Sequence, residues 1–415
     1  MRKKLAWTVT AAALAPLALA ACADILGFER ITQAYPDAAP EAAPSASPSV
    51  PPPPAPDARE LCPTGKRPAK RPDGGDTLGA PEERFTVAFD RFDVGMRTGA
   101  SAPGYDLDGY CTVDPPTSSC VATKLTTDFE AYVVDKPEGV DNTTFQLLRL
   151  LGDVYAAFSP AKIDENLRRG RFGFLVDVQR YNGTANDPDV GLAFRPTLGL
   201  VDETKTPTFT EADDWKLDSE FANEVEFFGS AFVDVQAYVR DGVLHASFSR
   251  LVLPIQRSNI GNVLRIVVKD VVLTARLARD DAGARRRFED GVIAGKWEVA
   301  EALRDIRNFA FDPEEQLPLC TQPKFDAQFR ATVCPARDIQ TGIDSDAQAP
   351  CNAISLGIGF SGQETKPAVE RDPRLYRGPS ICPEVTCDTP LDAGFADAAA
   401  LPTDAGDAGA DAPTD

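Results

Sequence analysis

The stretch from Ala231 to Leu277 constrains the fold more than any other. Ala231, Val233, Val235, Ala237 and Val239 recur at every second position, which places them on one face of an extended strand. Arg240-Asp241-Gly242 interrupts the run, and Asp-Gly accepts the positive φ angles of a tight hairpin. Leu244, Ala246 and Phe248 resume the alternation, and Val263 to Leu277 is a long β-branched run that reads as a third strand. Long antiparallel hairpins need a second layer to bury their apolar face. The expected fold class is therefore mainly β with some α: an antiparallel β-sandwich of jelly-roll type with two to three peripheral helices.

Shorter patterns fill in the rest. Arg84–Val94 alternates and reads as a strand, as do Phe172, Phe174, Val176 and Val178, and Val190–Val201; Phe129–Val134 is a shorter candidate. Phe145–Phe158 carries Leu147, Leu148, Leu150, Leu151, Val154 and Tyr155 on one broad helical face, with Asp141 or Asn142 as the expected N-cap. Further helices are expected at Ala161–Arg168 and Glu298–Phe309.

The amino terminus places the chain in a cell. Arg2, Lys3 and Lys4 precede an apolar, Ala-rich run too short and too weakly hydrophobic for a good membrane span. It closes on Leu19-Ala20-Ala21-Cys22, which reads as a lipoprotein cleavage box. Residues 1–21 are then a signal peptide, and Cys22 becomes the acylated first residue, with palmitate-type chains as the membrane anchor. Asp directly after such a cysteine favours the inner membrane; Ala23 stands there instead, which favours the outer membrane. Residues 22–60 are rich in Ala, Pro and Ser and read as an extended stalk, and 389–415 as a disordered acidic tail. Between them, 80–310 is expected to hold the sandwich. Residues 311–388 read as a loop-rich, cysteine-containing extension packed on it.

Removing Cys22 leaves eight of the nine cysteines: Cys62, Cys111, Cys120, Cys320, Cys334, Cys351, Cys382 and Cys387. An even set in an exported chain reads as disulfides. Proximity suggests Cys111–Cys120, Cys320–Cys334 and Cys382–Cys387, leaving Cys62 to meet Cys351. Zinc is disfavoured, because no C-x-x-C pair exists and His245 is the single histidine. The net charge of −20 excludes the basic footprint that nucleic-acid binding requires.

Asp106-Leu107-Asp108-Gly109, followed by Asp114, is the first chemical candidate. Alternating carboxylates with a glycine suit a hard cation, and calcium is the candidate cofactor, with Asp141 as a further ligand. Asn142 and Asn186-Asp187-Pro188-Asp189 could add oxygens, although Asp and Asn also serve turns by bonding local backbone. His245 falls in phase with Val243, Ser247 and Ser249, on what reads as the less buried face; a general base there lacks an identifiable partner. Gly357-Ile358-Gly359-Phe360-Ser361-Gly362 matches a dinucleotide fingerprint in letters only, since no amphipathic helix follows it. Arg285-Arg286-Arg287 reads as a solvated turn, and Trp215, Tyr181 and Tyr238 are candidates for stacking on sugar rings.

The Leu-Ala-Ala-Cys box, the Pro/Ala/Ser stalk, Gly-Tyr-Asp-Leu-Asp-Gly-Tyr-Cys at 104–111, Gly-Val-Asp-Asn at 139–142 and the Asp-Ala-Gly tail resemble uncharacterised lipoproteins of myxobacterial type. That resemblance implies location and style, not an activity. The expected function is a non-catalytic envelope lipoprotein, held to the membrane by its lipid, that binds a glycan or another envelope partner. The alternatives are a secreted hydrolase using dispersed carboxylates and a structural component of the outer membrane.

Overall fold

The computed structural model describes residues 62–74, 82–94, 102–112, 119–121, 134–155, 158–218, 232–257, 263–310, 317–342, 348–372 and 382–390. The signal peptide, Cys22, the stalk, Asp114, nearly all of the candidate strand Phe129–Val134 and nearly all of the acidic tail lie outside them.

Among the described residues ten strands form: β1 (Glu83–Asp93), β2 (Gly173–Tyr181), β3 (Asp187–Leu200), β4 (Trp215–Asp218), β5 (Val233–Arg240), β6 (Val243–Arg257), β7 (Val263–Arg279), β8 (Arg286–Glu298), β9 (Ala353–Thr365) and β10 (Glu370–Asp372). Eight of them pair in one antiparallel ring, β1-β2-β3-β5-β6-β7-β8-β9, which closes where β9 returns to β1. Chain order and ring order coincide, so this is an up-and-down barrel, and β4 and β10 extend it beside β3. The expected β-sandwich is thus corrected to an eight-stranded antiparallel β-barrel. The physical reason is the two pairings that complete the ring. Arg91↔Ser361 joins residues remote in sequence, and Ala193↔Val233 skips over β4; neither leaves a local signal.

Eight strands enclose a space that side chains can fill. Here phenylalanines fill it. Phe89 stacks on Phe360 with centroids 4.1 Å apart, Phe174 packs on Phe89, Phe92 and Phe194, and Phe194 meets Phe248 edge-on. One mouth is closed by Arg286, which lies over the rings of Phe85 and Tyr181 and pairs with Glu83. Arg286 and Arg287 therefore start β8, while Arg285 stays in the turn before it, paired with Asp280. At the other end, helix α2 (Pro160–Arg168) packs on β1 and β6, strands on opposite sides of the ring. Its Ile163 and Leu167 are fully buried.

The remaining helices are α1 (Thr144–Val154), α3 (Val299–Arg307) and α4 (Pro323–Val333). Helix α1 packs on β9, α3 on β7 and β8, and α4 against both helices. A second small core of Ala88, Leu175, Leu200 and Trp215 lies apart from the main one.

All four expected cysteine pairings are replaced. The disulfides are Cys62–Cys111, Cys120–Cys351, Cys320–Cys382 and Cys334–Cys387. The first two hold the segments 62–74, 102–112 and 119–121, here called the belt, to one another and to the approach to β9. The last two pin 382–390 beside α4, where Arg307 binds Asp326 and the carbonyl of Pro383, and Arg330 binds the carbonyls of Thr389 and Pro390. Proximity in sequence failed because these bridges join segments 49 to 231 residues apart that the fold brings together. The expected extension 311–388 also contributes a barrel strand, β9, and the helix α4.

Candidate functional site

β9 runs past the end of β1, whose last partner is Gly359, so the edge of Ala353–Gly357 needs other hydrogen-bond partners. The start of α1 and the segment at Asp338–Ile339 supply them. Asn142 pairs in both directions with the backbone of Gly357, through Nδ2 at 3.0 Å and Oδ1 at 3.1 Å. Thr144 donates to the Ser355 carbonyl, and Asp338 accepts the Ser355 amide at 2.7 Å. A Cβ at Gly357 would stand 2.0 Å from the Pro103 carbonyl oxygen. The glycines that match a dinucleotide fingerprint in letters only therefore lie on a strand, and Gly357 must be bare for Pro103 of the belt to approach it. Asn142 also accepts the Phe145 amide, while the N-cap position itself is Thr143.

This docking gathers carboxylates. Asp106 and Asp108 lie in the belt, and Asp141 arrives beside them because its amide bonds the Tyr105 carbonyl. Asp106, Asp108 and Asp141 each offer an oxygen within 4.8 Å of the others. Local bonds orient them: Asp106 accepts from the Gly109 amide and Arg67, Asp108 from the Tyr110 amide, and Asp141 from the Leu107 amide at 2.6 Å. Asp135, bonded by the Thr112 amide, and Asp338 border the group.

The electrostatics follow from crowding in a dry place. Burial pushes the Asp141 carboxyl well above the usual range, and Asp108, Asp135 and Asp338 add like-charge repulsion. Burial also raises Asp108, with Asp106 adding repulsion while Ser119, the Tyr110 amide and Lys296 hold it down. Burial takes Asp135 to about 7 and Asp338 to about 6. Such a set can share protons or hold a hard cation. It contains no nitrogen or sulfur donor.

Three of the four expected cation ligands thus come together, and Asp114 lies outside the described residues. Asp187 and Asp189 do not join them. They serve the β2–β3 turn, where Asp187 accepts the amides of Asn182 and Asp189, and Asp189 pairs with Arg180. His245 is corrected from the open face to a buried position, 5% exposed, stacked on Tyr238 beneath the belt. Trp215 and Tyr181 are buried, and Tyr238 is engaged with His245 and the Ala69 carbonyl, so none forms an open sugar platform. Sequence reasoning missed Asp135, Asp338 and Ser119. Asp135-Lys136-Pro137 reads as a turn, and nothing near Asp338 marks it as a neighbour of Asp141.

No protein-family model, curated protein or solved structure matches the chain.

Proposed function

We propose that this chain is an exported, non-catalytic envelope lipoprotein, anchored through Cys22, whose barrel is a rigid head that binds another envelope protein on its outer surface. The observation that carries this reading is the filled interior. Phe89, Phe174, Phe194 and Phe360 occupy the barrel, and Arg286 and α2 close its ends, so recognition is left to the outside. The outer wall carries ion pairs such as Asp177–Arg195 and Lys269–Glu298. A wall facing lipid needs an apolar band instead. Among the described residues no helix is long and apolar enough to cross a membrane.

A protein is favoured over a glycan because the expected sugar-stacking aromatics are buried or engaged. A carboxylate-dependent hydrolase needs an acid pair open to substrate, and Asp106 and Asp141 are buried.

Two measurements test the reading. Cys22→Ser should abolish incorporation of labelled palmitate and release the chain from membranes; retained label rejects the anchor. A photo-reactive residue at Val235 or Val369, 39% and 54% exposed, should give a discrete protein adduct in intact envelopes. Saturating glycan-array binding without such an adduct would replace the protein partner with a sugar.

A further inference from the structure

Asp106, Asp108 and Asp141 have partners enough to fix their directions but not to neutralise them. Arg67 serves Asp106, and Lys296 acts on Asp108. The strongest charges on Asp141 are Asp108, Asp135 and Asp338, all of its own sign. A second feature lies at the same spot. Ser119 is 1% exposed, and its Oγ lies against Asp108 but meets no partner at full hydrogen-bonding geometry. A buried hydroxyl without a well-formed hydrogen bond costs free energy unless a further group is present.

We propose that Asp106, Asp108 and Asp141 bind one calcium ion, with the Ser119 hydroxyl facing the site, and that this ion fastens the belt to the segment that leads into α1. The ligand chemistry selects the ion. Every candidate donor is an oxygen, which disfavours zinc and copper. The donors come from the separate segments 102–112 and 134–142, with Ser119 from a third, and such an irregular set suits calcium's flexible coordination better than magnesium's strict octahedron. The position assigns the role. The belt is tied to the barrel by the Tyr105–Thr274 hydrogen bond, by Asn142, which bonds both the Pro103 carbonyl and Gly357, and by Cys120–Cys351; the crowded carboxylates of the belt and of the segment leading into α1 repel one another until a cation compensates. This inference does not depend on the partner reading above.

The test uses the full chain, oxidised, stripped with chelator and titrated with calcium chloride in a calorimeter. One ion per chain is expected, with magnesium weaker by at least about tenfold. Saturating calcium should raise the melting temperature by about 5 °C. Asp141→Asn and Asp108→Asn should each weaken binding at least about a hundredfold, and Ser119→Ala a few-fold, roughly. Asp202→Asn, at an exposed acid bonded to Thr204, is the control and should bind like the parent. Circular dichroism at each variant separates lost binding from lost fold; if Asp141→Asn fails to fold, Asp108→Asn and Ser119→Ala carry the test. No saturable calcium, or unchanged affinity in the folded aspartate variants, overturns the site. Equal affinity for magnesium overturns the assignment to calcium.

Discussion

His245 sets an acid limit on this fold. Burial and the nearby Arg240 lower its pKa from 6.5 to about 4, and neither ring nitrogen has a hydrogen-bond partner. The unfolded chain takes up its proton near pH 6.5, the folded chain only near pH 4. Stability is therefore full above pH 6.5 and is lost as pH falls towards 4, by about 3 kcal/mol from this one group. His245→Phe keeps a ring on Tyr238 but cannot titrate. In urea melts the stability of the parent relative to this variant should fall between those pH values. A difference independent of pH would contradict it. Using a difference matters because Asp135 and Asp338 act in the opposite sense: their raised pKa values make folding cost more as pH rises through 6 to 7. Gly357→Ala makes a separate case, since its Cβ would meet the Pro103 carbonyl and the Asn142 amide. A loss of about 3 kcal/mol is expected by chemical denaturation, with the belt loosened first under limited proteolysis. At this scale the sequence told half the story. Asp106 and Asp108 sit two apart with a glycine behind them, a pattern that announces a turn of carboxylates. Asp338 and Ser119 join them only through β9 and Cys120–Cys351, and no local pattern encodes that.

Helix α2 shows what an element does that its residues alone do not. Its Leu167 is fully buried, on a helix that packs against both β1 and β6. Leu167→Ala should cost about 3 kcal/mol in urea denaturation. A cost below about 1 kcal/mol would mean that the helix is not part of the barrel core. The disulfides work at the same scale. Cys120–Cys351 spans 231 residues, so in chain-entropy terms it stabilises by about 5 kcal/mol, more than bridges closing shorter loops. Replacing both cysteines by serine should therefore lower the denaturation midpoint more than replacing Cys334 and Cys387, whose separation is 53. Elements with strong periodicity were legible: β1, β2, β3, β5, β6, β7 and three helices lie where alternation or helical spacing places them. The Asp241-Gly242 turn also forms, with φ of 51° and 76°. β8 was hidden by its charged start, Arg286-Arg287, because a cation–π site over Phe85 and Tyr181 looks like the continuation of the turn at Arg285 until those rings are in place. β9 was hidden by its glycines, of which Gly357 makes room for the belt and Gly362 for the close approach of β1, and α4 by the prolines and cysteines around it.

At the scale of the whole molecule, hairpins do not distinguish a sandwich from a barrel. Both bury alternate residues, and both are built from neighbouring strands. The decision rests on β1 with β9 and β3 with β5, and it carries the functional account: a closed and filled barrel leaves its outer wall and belt for recognition. Hydrogen exchange followed by NMR tests that claim most directly. The amides that bond between β1 and β9 over Thr86–Phe89, and that of Phe194, bonded to the Phe232 carbonyl, should exchange only on global unfolding, like those between β6 and β7. Fast exchange at both closing pairs, with β6 and β7 still protected, would show an open sheet and contradict the barrel.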